Sequence, residues 1–421
     1  MPGERFDGHD FVDEVAQKGA AAVLVERGRP VARLPECAVV QVGNARQAFG
    51  RIGAAYRKDF SVPVVAVAGS NGKTTTKELI AAVLRQKFSA LWSESSFNND
   101  IGVPATLLRL ERAHQAAVFE VGTNHPGELA PLVQMIQPRF GVITNVGREH
   151  LEFFGDVAGV AAEEGTLAEL LPADGKLFLN GDNEWTDQIA KRTRAGVVRV
   201  GLGANNHWRA ENLRLEKRGA TFRVDAPRSE LSGDYRINLL GRHQVVNSMF
   251  ALAVGAELGL SRTELERGLA ECQPAKMRLQ IWEWSGVQVL DDAYNANADS
   301  MLVALQVLQE LPCKGRRVAV LGEMAELGGH SEGAHAEVGR RAVELGVDQL
   351  VAVGAMAGVM ARAAREAGLN RVIELAGVEA VVPALKSIVK AGDTVLLKAS
   401  RASRFEQVAQ ALRPAENGKK N

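Results

Sequence analysis

One heptapeptide constrains this chain more than any other feature: Gly69-Ser70-Asn71-Gly72-Lys73-Thr74-Thr75. It follows the unbroken apolar run Val64 to Ala68 and precedes a stretch of helical character from Thr74 to Gln86. A strand, a glycine turn and a helix in that order make a phosphate loop. The glycines let backbone N–H groups turn toward an anion, and the helix adds its positive N-terminal end. Lys73 then supplies a point charge for β/γ-phosphates, and the Thr74 hydroxyl a ligand for Mg²⁺. The loop is the short G-x-x-G-K-T form, because Val67 stands where a strict Walker sequence has its first glycine. Such a loop belongs on a parallel sheet with helices on its faces, so the expected class is α/β.

The rest of the pattern extends this expectation. Strands are predicted at Ala117 to Val121, Phe140 to Asn145 and Lys176 to Asn180. A small antiparallel appendage follows between Val197 and Leu240, then a helix from Gln244 to Leu258. From Pro274 onward, strands (Gln288 to Leu290, Arg317 to Leu321, Gln349 to Val353, Thr394 to Lys398) alternate with helices (Met301 to Leu311, Gly333 to Leu345, Met356 to Ala367, Arg404 to Leu412). That alternation implies βαβ units and a second parallel sheet. The opening stretch, with helical pieces at Asp10 to Gly19 and Ala45 to Phe60 around strands at Ala21 to Val25 and Val39 to Val42, is too little to close a domain. At about 150 residues per domain, 421 residues suggest three: 1–61, 62–273 and 274–421, ending in a short polar tail from Pro414 to Asn421.

Composition removes several function classes. Fifty Lys+Arg balance fifty Asp+Glu and aromatic residues are only 5%, so there is no global field and little stacking surface for nucleic acid or anionic lipid. Three widely spaced cysteines give neither a disulfide framework nor a zinc spacing. No apolar run reaches the roughly 18 residues that span a bilayer, and the first residues carry no apolar signal region. The expectation is a cytoplasmic protein with no integral membrane segment and no nucleic-acid partner.

Two further motifs sit at strand ends. Phe119-Glu120-Val121-Gly122 closes a strand with a carboxylate, where an open α/β sheet places its ligand groups. Ile143-Thr144-Asn145-Val146-Gly147-Arg148-Glu149-His150-Leu151 puts His150 just past another. Alone, the glutamate reads as solvated and the histidine as structural. With the phosphate loop they resemble the Mur ligase family of ATP-dependent amide-bond-forming ligases, over nearly the whole chain. The resemblance implies a central P-loop-type doubly wound domain, a C-terminal Rossmann-like parallel-sheet domain, and an N-terminal UDP-substrate domain. The last is expected to be incomplete, because Gly3-Glu4-Arg5-Phe6-Asp7-Gly8-His9-Asp10-Phe11 resembles a loop from the middle of that domain. It assigns ATP to Gly69, Ser70, Asn71, Gly72, Lys73, Thr74 and Thr75, with Asn247 of Gly241-Arg242-His243-Gln244-Val245-Val246-Asn247, Arg278 and Asp292. Lys73, Glu120 and His150 take the catalytic positions, and Thr74, Glu120 and His150 the magnesium ligands. Glu164, in Ala162-Glu163-Glu164-Gly165-Thr166-Leu167, stands where the family carries a carbamylated lysine; it either replaces the carbamate as an oxygen ligand or is a solvated helical glutamate beside a weakened second metal site.

Asp292-Ala293-Tyr294-Asn295-Ala296-Asn297, Gly322-Glu323-Met324-Ala325-Glu326-Leu327-Gly328 and Lys398-Ala399-Ser400-Arg401 look like the branch that adds D-alanyl-D-alanine to UDP-N-acetylmuramoyl-tripeptide. The Asp-Asn-Pro-Arg box of the branch adding the third residue is absent. The resemblance places Asn98, Asn99, Thr123, Asn124 and His125 at the muramoyl-peptide, and makes Asn295, Asn297, Ser400 and Arg401 candidates for the dipeptide. From the residues alone, Asn295, Asn297 and Ser400 are neutral hydrogen bonders that suit plain turns equally well. The implied chemistry is carboxylate activation through an acyl phosphate, performed by a monomer. His335 is open as a base for the amine or as a structural group. Two rival readings remain: a folylpolyglutamate synthase-like amide ligase, whose glutamate substrate would demand extra cationic groups, and an ATP-binding relative without catalysis.

Overall fold

The computed structural model describes residues 6–29 and 36–413, together with residues 1, 31 and 34. Gly3-Glu4-Arg5 of the opening motif and the tail from Pro414 to Asn421 lie outside the described residues. Near the N-terminus β1 (Ala22–Glu26) and β2 (Ala38–Val42) pair in parallel as a two-stranded sheet. The helix Ala45–Arg57 ties this portion to the central unit. Its Tyr56 hydroxyl donates to the Leu110 carbonyl at 2.8 Å, and the buried Arg57 guanidinium to the Ile136 carbonyl at 2.8 Å.

Nine strands form the central sheet: β3 (Val64–Ala68), β4 (Ala90–Trp92), β5 (Ala116–Glu120), β6 (Phe140–Ile143), β7 (Lys176–Asn180), β8 (Gly196–Gly201), β9 (Trp208–Glu216), β10 (Gly219–Asp225) and β11 (Gly233–Ile237). Their spatial order is β11-β10-β9-β8-β7-β6-β3-β5-β4. All five residues of β3 are buried, as an unbroken apolar run demands of a strand covered on both faces. Successive side chains point to opposite faces. Val65 and Val67 meet Leu79 and Ile80 of the helix Lys73–Leu84 and Phe250 of the helix Arg242–Glu257; Val64, Ala66 and Ala68 join Val103, Leu107, Leu129 and Ile136 on the other side. β3 lies between β5 and β6, parallel to both, so the strand order reverses there. The carboxyl ends of these three strands therefore open a crevice, the position where doubly wound sheets hold ligands. The expected appendage after Val197 is not separate. β8 runs parallel to β7 and β9, and the antiparallel β9, β10 and β11 continue the same sheet.

The last third carries a six-stranded sheet: β12 (Gln280–Trp284), β13 (Val287–Asp291), β14 (Arg317–Leu321), β15 (Gln349–Val353), β16 (Val372–Leu375) and β17 (Thr394–Lys398), in the order β12-β13-β17-β14-β15-β16. β12 is antiparallel, hairpinned to β13, and the other neighbours pair in parallel. The helix Ala298–Glu310 starts on a capping box, with Asn297 Oδ1 accepting from the Ser300 N–H at 2.8 Å. The architecture is mixed α/β with parallel-sheet units. Among the described residues no helix is long and apolar enough to cross a membrane.

Candidate active site

The turn after β3 is built so that only backbone fits. Gly69 and Gly72 sit at φ +112° and +83°, and a Cβ on Gly69 would lie 2.8 Å from the Thr144 nitrogen, one on Gly72 2.8 Å from Asn247 Oδ1. The loop after β6 braces this turn. Asn145 Oδ1 accepts from the Asn71 N–H at 2.8 Å, the Thr144 hydroxyl donates to the Asn71 carbonyl at 2.6 Å, and the Gly147 N–H donates to Ser70 Oγ at 2.9 Å. Lys73 opens the following helix, and its Nζ folds back onto the Gly69 carbonyl, 3.4 Å from Glu149 Oε2. Burial pushes the Lys73 ammonium down, but Glu149, Glu164 and Glu120 more than offset this and hold it above the ordinary lysine range. It is a fixed cation at the mouth of the loop.

Three carboxylates surround that cation. Glu120, at the end of β5, accepts from Asn98 Nδ2 at 2.9 Å through Oε1, while Oε2 is buried without a protein partner. Glu149 is 4% exposed, with Oε1 also unpartnered. Buried carboxylate oxygens without donors call for a cation. Glu120 and Glu149 line the cavity beside Thr74 and His150, an oxygen-rich set that fits Mg²⁺ with water and phosphate oxygens completing its shell. Among the described residues no three His, Cys, Asp or Glu side chains form a finished metal cage. His150 turns Nδ1 to Glu326 and leaves Nε2 3.9 Å from Glu149 Oε2.

Glu164 stands elsewhere. It is fully buried behind the loop, does not line the cavity, and its Oε2 accepts from the Gly69 N–H at 2.7 Å. Burial raises its carboxyl to about 8, against the pull of Lys73 and with the push of Glu149. One oxygen of Glu164 is thus taken by the loop, so the Gly69 N–H is not free for a phosphate, while Oε1 is buried without a protein partner, as in Glu120 and Glu149.

The C-terminal unit closes the cavity, whose volume is about 490 Å³. Arg278 donates to the Thr74 hydroxyl at 3.0 Å and lies 4.2 Å over the Tyr294 ring. The Tyr294 hydroxyl in turn meets Ser96 of the central unit. Asn297 donates to Asn71 Oδ1 at 2.9 Å. Asp292 accepts from the buried Lys398 ammonium at 2.5 Å and so lines the cavity as half of an ion pair. Asn247 lies against Gly72 and donates to Gln244 at 2.8 Å.

Of the residues singled out in the sequence, Ser70, Asn71, Gly72, Lys73, Thr74, Thr75, Glu120, His150, Asn247, Arg278 and Asp292 meet in this one cavity, with Asn98, Asn99, Thr123, Asn124, Asn295 and Asn297. His125, Ser400 and Arg401 do not line it. His125 pairs with Glu128 at 3.0 Å and lies tilted against Phe153; Ser400 is buried with its N–H on the Glu323 carbonyl at 2.9 Å; Arg401 is exposed. His335 is excluded as a base. It is fully buried, Nε2 accepts from the Met324 N–H at 3.0 Å and Nδ1 donates to the Ser331 carbonyl at 2.7 Å, so both ring nitrogens are used. Sequence reasoning missed Glu149, Lys398, Tyr294, Glu326 and His243. Glu149 stood beside His150 in a motif already singled out, and Lys398 ended an apolar strand just as Glu120 does. His243 faces the cavity as a neutral imidazole, pushed down to about 4 by burial and by Lys398.

Comparison with known proteins adds to this geometry. Residues 67–255 match the Mur ligase middle domain, and residues 277–401 the Mur ligase glutamate ligase domain. The UDP-N-acetylmuramoyl-tripeptide–D-alanyl-D-alanine ligase of Escherichia coli is 37% identical over 426 residues, 99% of this chain and 90% of that protein. The crystal structure of MurF from Acinetobacter baumannii superposes with a TM-score of 0.87 at 31% identity, covering 98% of this chain and 89% of that one. The MurF ligase of Thermotoga maritima, solved in complex with ADP, gives 0.85 at 26% identity over 98% of this chain and 92% of that one. A folylpolyglutamate synthase of Mycobacterium tuberculosis shares the fold alone, at 16% identity and a TM-score of 0.69, over 88% of this chain and 95% of that one.

Proposed function

The chain belongs to the Mur ligase family, and we propose that it is the member that joins D-alanyl-D-alanine to UDP-N-acetylmuramoyl-tripeptide while converting ATP to ADP and phosphate. It is an ADP-forming amide ligase that uses ATP and Mg²⁺. The peptide carboxylate attacks the γ-phosphorus, giving an acyl phosphate and ADP. The dipeptide amine then attacks the acyl carbon, and phosphate leaves. The first step brings two anions together, so the site's main task is to hold positive charge in place before reaction. Lys73 does this at the loop mouth, and Arg278 reaches it from the C-terminal unit through Thr74. When bound, Mg²⁺ would neutralise phosphate oxygens further, and Thr74, Glu120 and His150 are the side chains that would hold it, with Glu149 beside them. Asn98 and Asn99, with Thr123 and Asn124, receive the muramoyl-peptide, while Asn295 and Asn297 face the dipeptide. Asp292 orients Lys398, and Glu164 braces the phosphate loop rather than touching the metal.

The observation that carries the reading is the single cavity in which the phosphate loop, an under-coordinated carboxylate pair and both sets of asparagines meet. We read the working unit as a monomer acting in the cytoplasm, a reading supported by a cavity whose phosphate loop and asparagines all lie on this chain. The test is phosphate release by purified protein. It must depend on both UDP-N-acetylmuramoyl-tripeptide and D-alanyl-D-alanine. Release with a folate and glutamate instead, or ATP binding without any turnover, would defeat the assignment.

A further inference from the structure

Lys77 lies one helical turn beyond Lys73, and nothing in the ligase chemistry uses it. Among the described residues it is the largest fully buried side chain that carries a charge. A buried ammonium must find a partner for each of its three N–H groups. Lys77 does so: Nζ donates to the Ser93 carbonyl at 2.6 Å and the Ser95 carbonyl at 2.6 Å, and pairs with Glu78 at 2.7 Å. Two of the three partners are backbone groups of the segment that follows β4.

That segment needs a clamp. Ser95 is held at φ +48°, in the left-handed region that residues other than glycine seldom enter. Immediately after it come three groups that face the cavity. Ser96 meets Tyr294 of the C-terminal unit, Asn98 donates to Glu120 Oε1 at 2.9 Å, and Asn99 lines the wall. The same segment holds β5 in place, since Ser93 Oγ accepts from the Glu120 N–H at 3.2 Å and the Asn98 carbonyl from the Gly122 N–H at 3.0 Å. The helix that begins at the phosphate loop thus reaches, through one ammonium, the wall assigned to the other substrate.

We propose that Lys77 is a positioning residue for the UDP-linked peptide: it fixes the Ser93–Asn99 segment and, through Asn98, the direction of the Glu120 carboxylate. The inference rests on the ligase reading of this cavity. Lys77→Met keeps an unbranched apolar stem, one atom shorter, and removes all three donors. Relative to an active wild type, it should raise the KM for UDP-N-acetylmuramoyl-tripeptide by about tenfold or more and lower kcat, while the calorimetric Kd for ATP at saturating Mg²⁺ stays within about threefold. Combined with Asn98→Ala, the loss in kcat/KM should be smaller than the product of the two single losses. An unchanged KM for the peptide, a parallel loss of ATP affinity, or multiplicative losses in the double variant would overturn the proposal. If Lys77→Met does not fold, Lys77→Arg, which retains charge and donors in altered geometry, is read for the same split between peptide and ATP. Calorimetric binding of the UDP-linked peptide gives that split without turnover. A wild type that binds both ligands yet makes no product would therefore count against the reaction and leave the Lys77 result readable.

Discussion

Replacing Arg148 by alanine should open the protein without damaging its nucleotide loop. Arg148 stands where the central and C-terminal units meet. Its N–H and Nε donate to the two oxygens of Asp299, each at 2.7 Å, and Nη1 donates to Glu337 at 2.6 Å. The alanine variant keeps the backbone bond and loses both guanidinium contacts. A charged hydrogen bond contributes about 1.5–3 kcal/mol when buried, and an exposed ion pair only about 0.2–1 kcal/mol. The three side chains are 31%, 31% and 34% exposed, between these limits. A discounted contribution of about 1 kcal/mol for each contact gives about 2 kcal/mol for closure, or roughly 30-fold in the ratio of closed to open forms. Closure brings Arg278, Tyr294 and Asn297 onto the central unit, so kcat/KM for the dipeptide should fall roughly 10- to 30-fold. ATP affinity should change far less, because most of the loop's contacts lie within one unit. Steady-state kinetics at several salt concentrations, with small-angle scattering in the presence of a non-hydrolysable ATP analogue, reads both effects. Wild-type closure should weaken with salt more than the variant's, which keeps Arg242–Glu310 and His150–Glu326 between the units. A variant that compacts like the wild type and keeps its kcat/KM refutes the reasoning.

Three other changes test the site. Asn98→Ala removes the donor that fixes Glu120; at about 1.5–3 kcal/mol for a hydrogen bond to a charged group, the Mg²⁺ concentration for half-maximal rate should rise roughly 10- to 100-fold, and an unaltered magnesium titration would disprove the link. Lys73→Met should abolish phosphate release and weaken calorimetric ATP binding, and retention of either would remove the loop from the mechanism. Glu164 gives a pH signature: its carboxyl is raised by burial to about 8, so the folded chain keeps a proton that the unfolded chain releases near the ordinary 4.5. That contribution to stability is complete below the unfolded value and is lost as pH climbs through the folded one. Glu164→Gln should therefore flatten the decline in Tm of the ligand-free protein over that window; a slope equal to wild type would show that the group does not titrate as described.

The parts of the fold legible in the sequence are those decided locally. β3 is a buried apolar run and must be a central strand; the glycines after it must turn; Glu120 must emerge at a carboxyl end. β4, β12 and β16 carried no such signal. The first has three residues, and the other two lie at sheet edges with only half-buried side chains, so neither a continuous apolar run nor clean alternation marks them. The antiparallel strands after Val197 were legible as strands but not as neighbours of β8, because pairing partners are set by tertiary placement. The same limit governs the cavity. Arg278 and Thr74 are 204 residues apart, and Asn297 and Asn71 226 apart, and nothing in their local sequence announces either contact.

Glu163 and Glu164 make the limit concrete. Adjacent residues on a helix point about 100° apart, so two consecutive carboxylates cannot serve one site. Here they end the helix Val157–Glu164, where the backbone dipole disfavours negative charge. Each is retained by the N–H groups it satisfies. Glu163 accepts from Gly127 and Leu129, both at 2.8 Å, and Glu164 from Gly69 at 2.7 Å, while Arg192 covers the terminal carbonyls of Ala161 and Ala162. The helix is therefore a brace between the phosphate loop and the loop Thr123 to Leu129. Glu164 Oε2 ends at the Gly69 amide, and Glu149, from the loop after β6, faces the cavity beside Glu120.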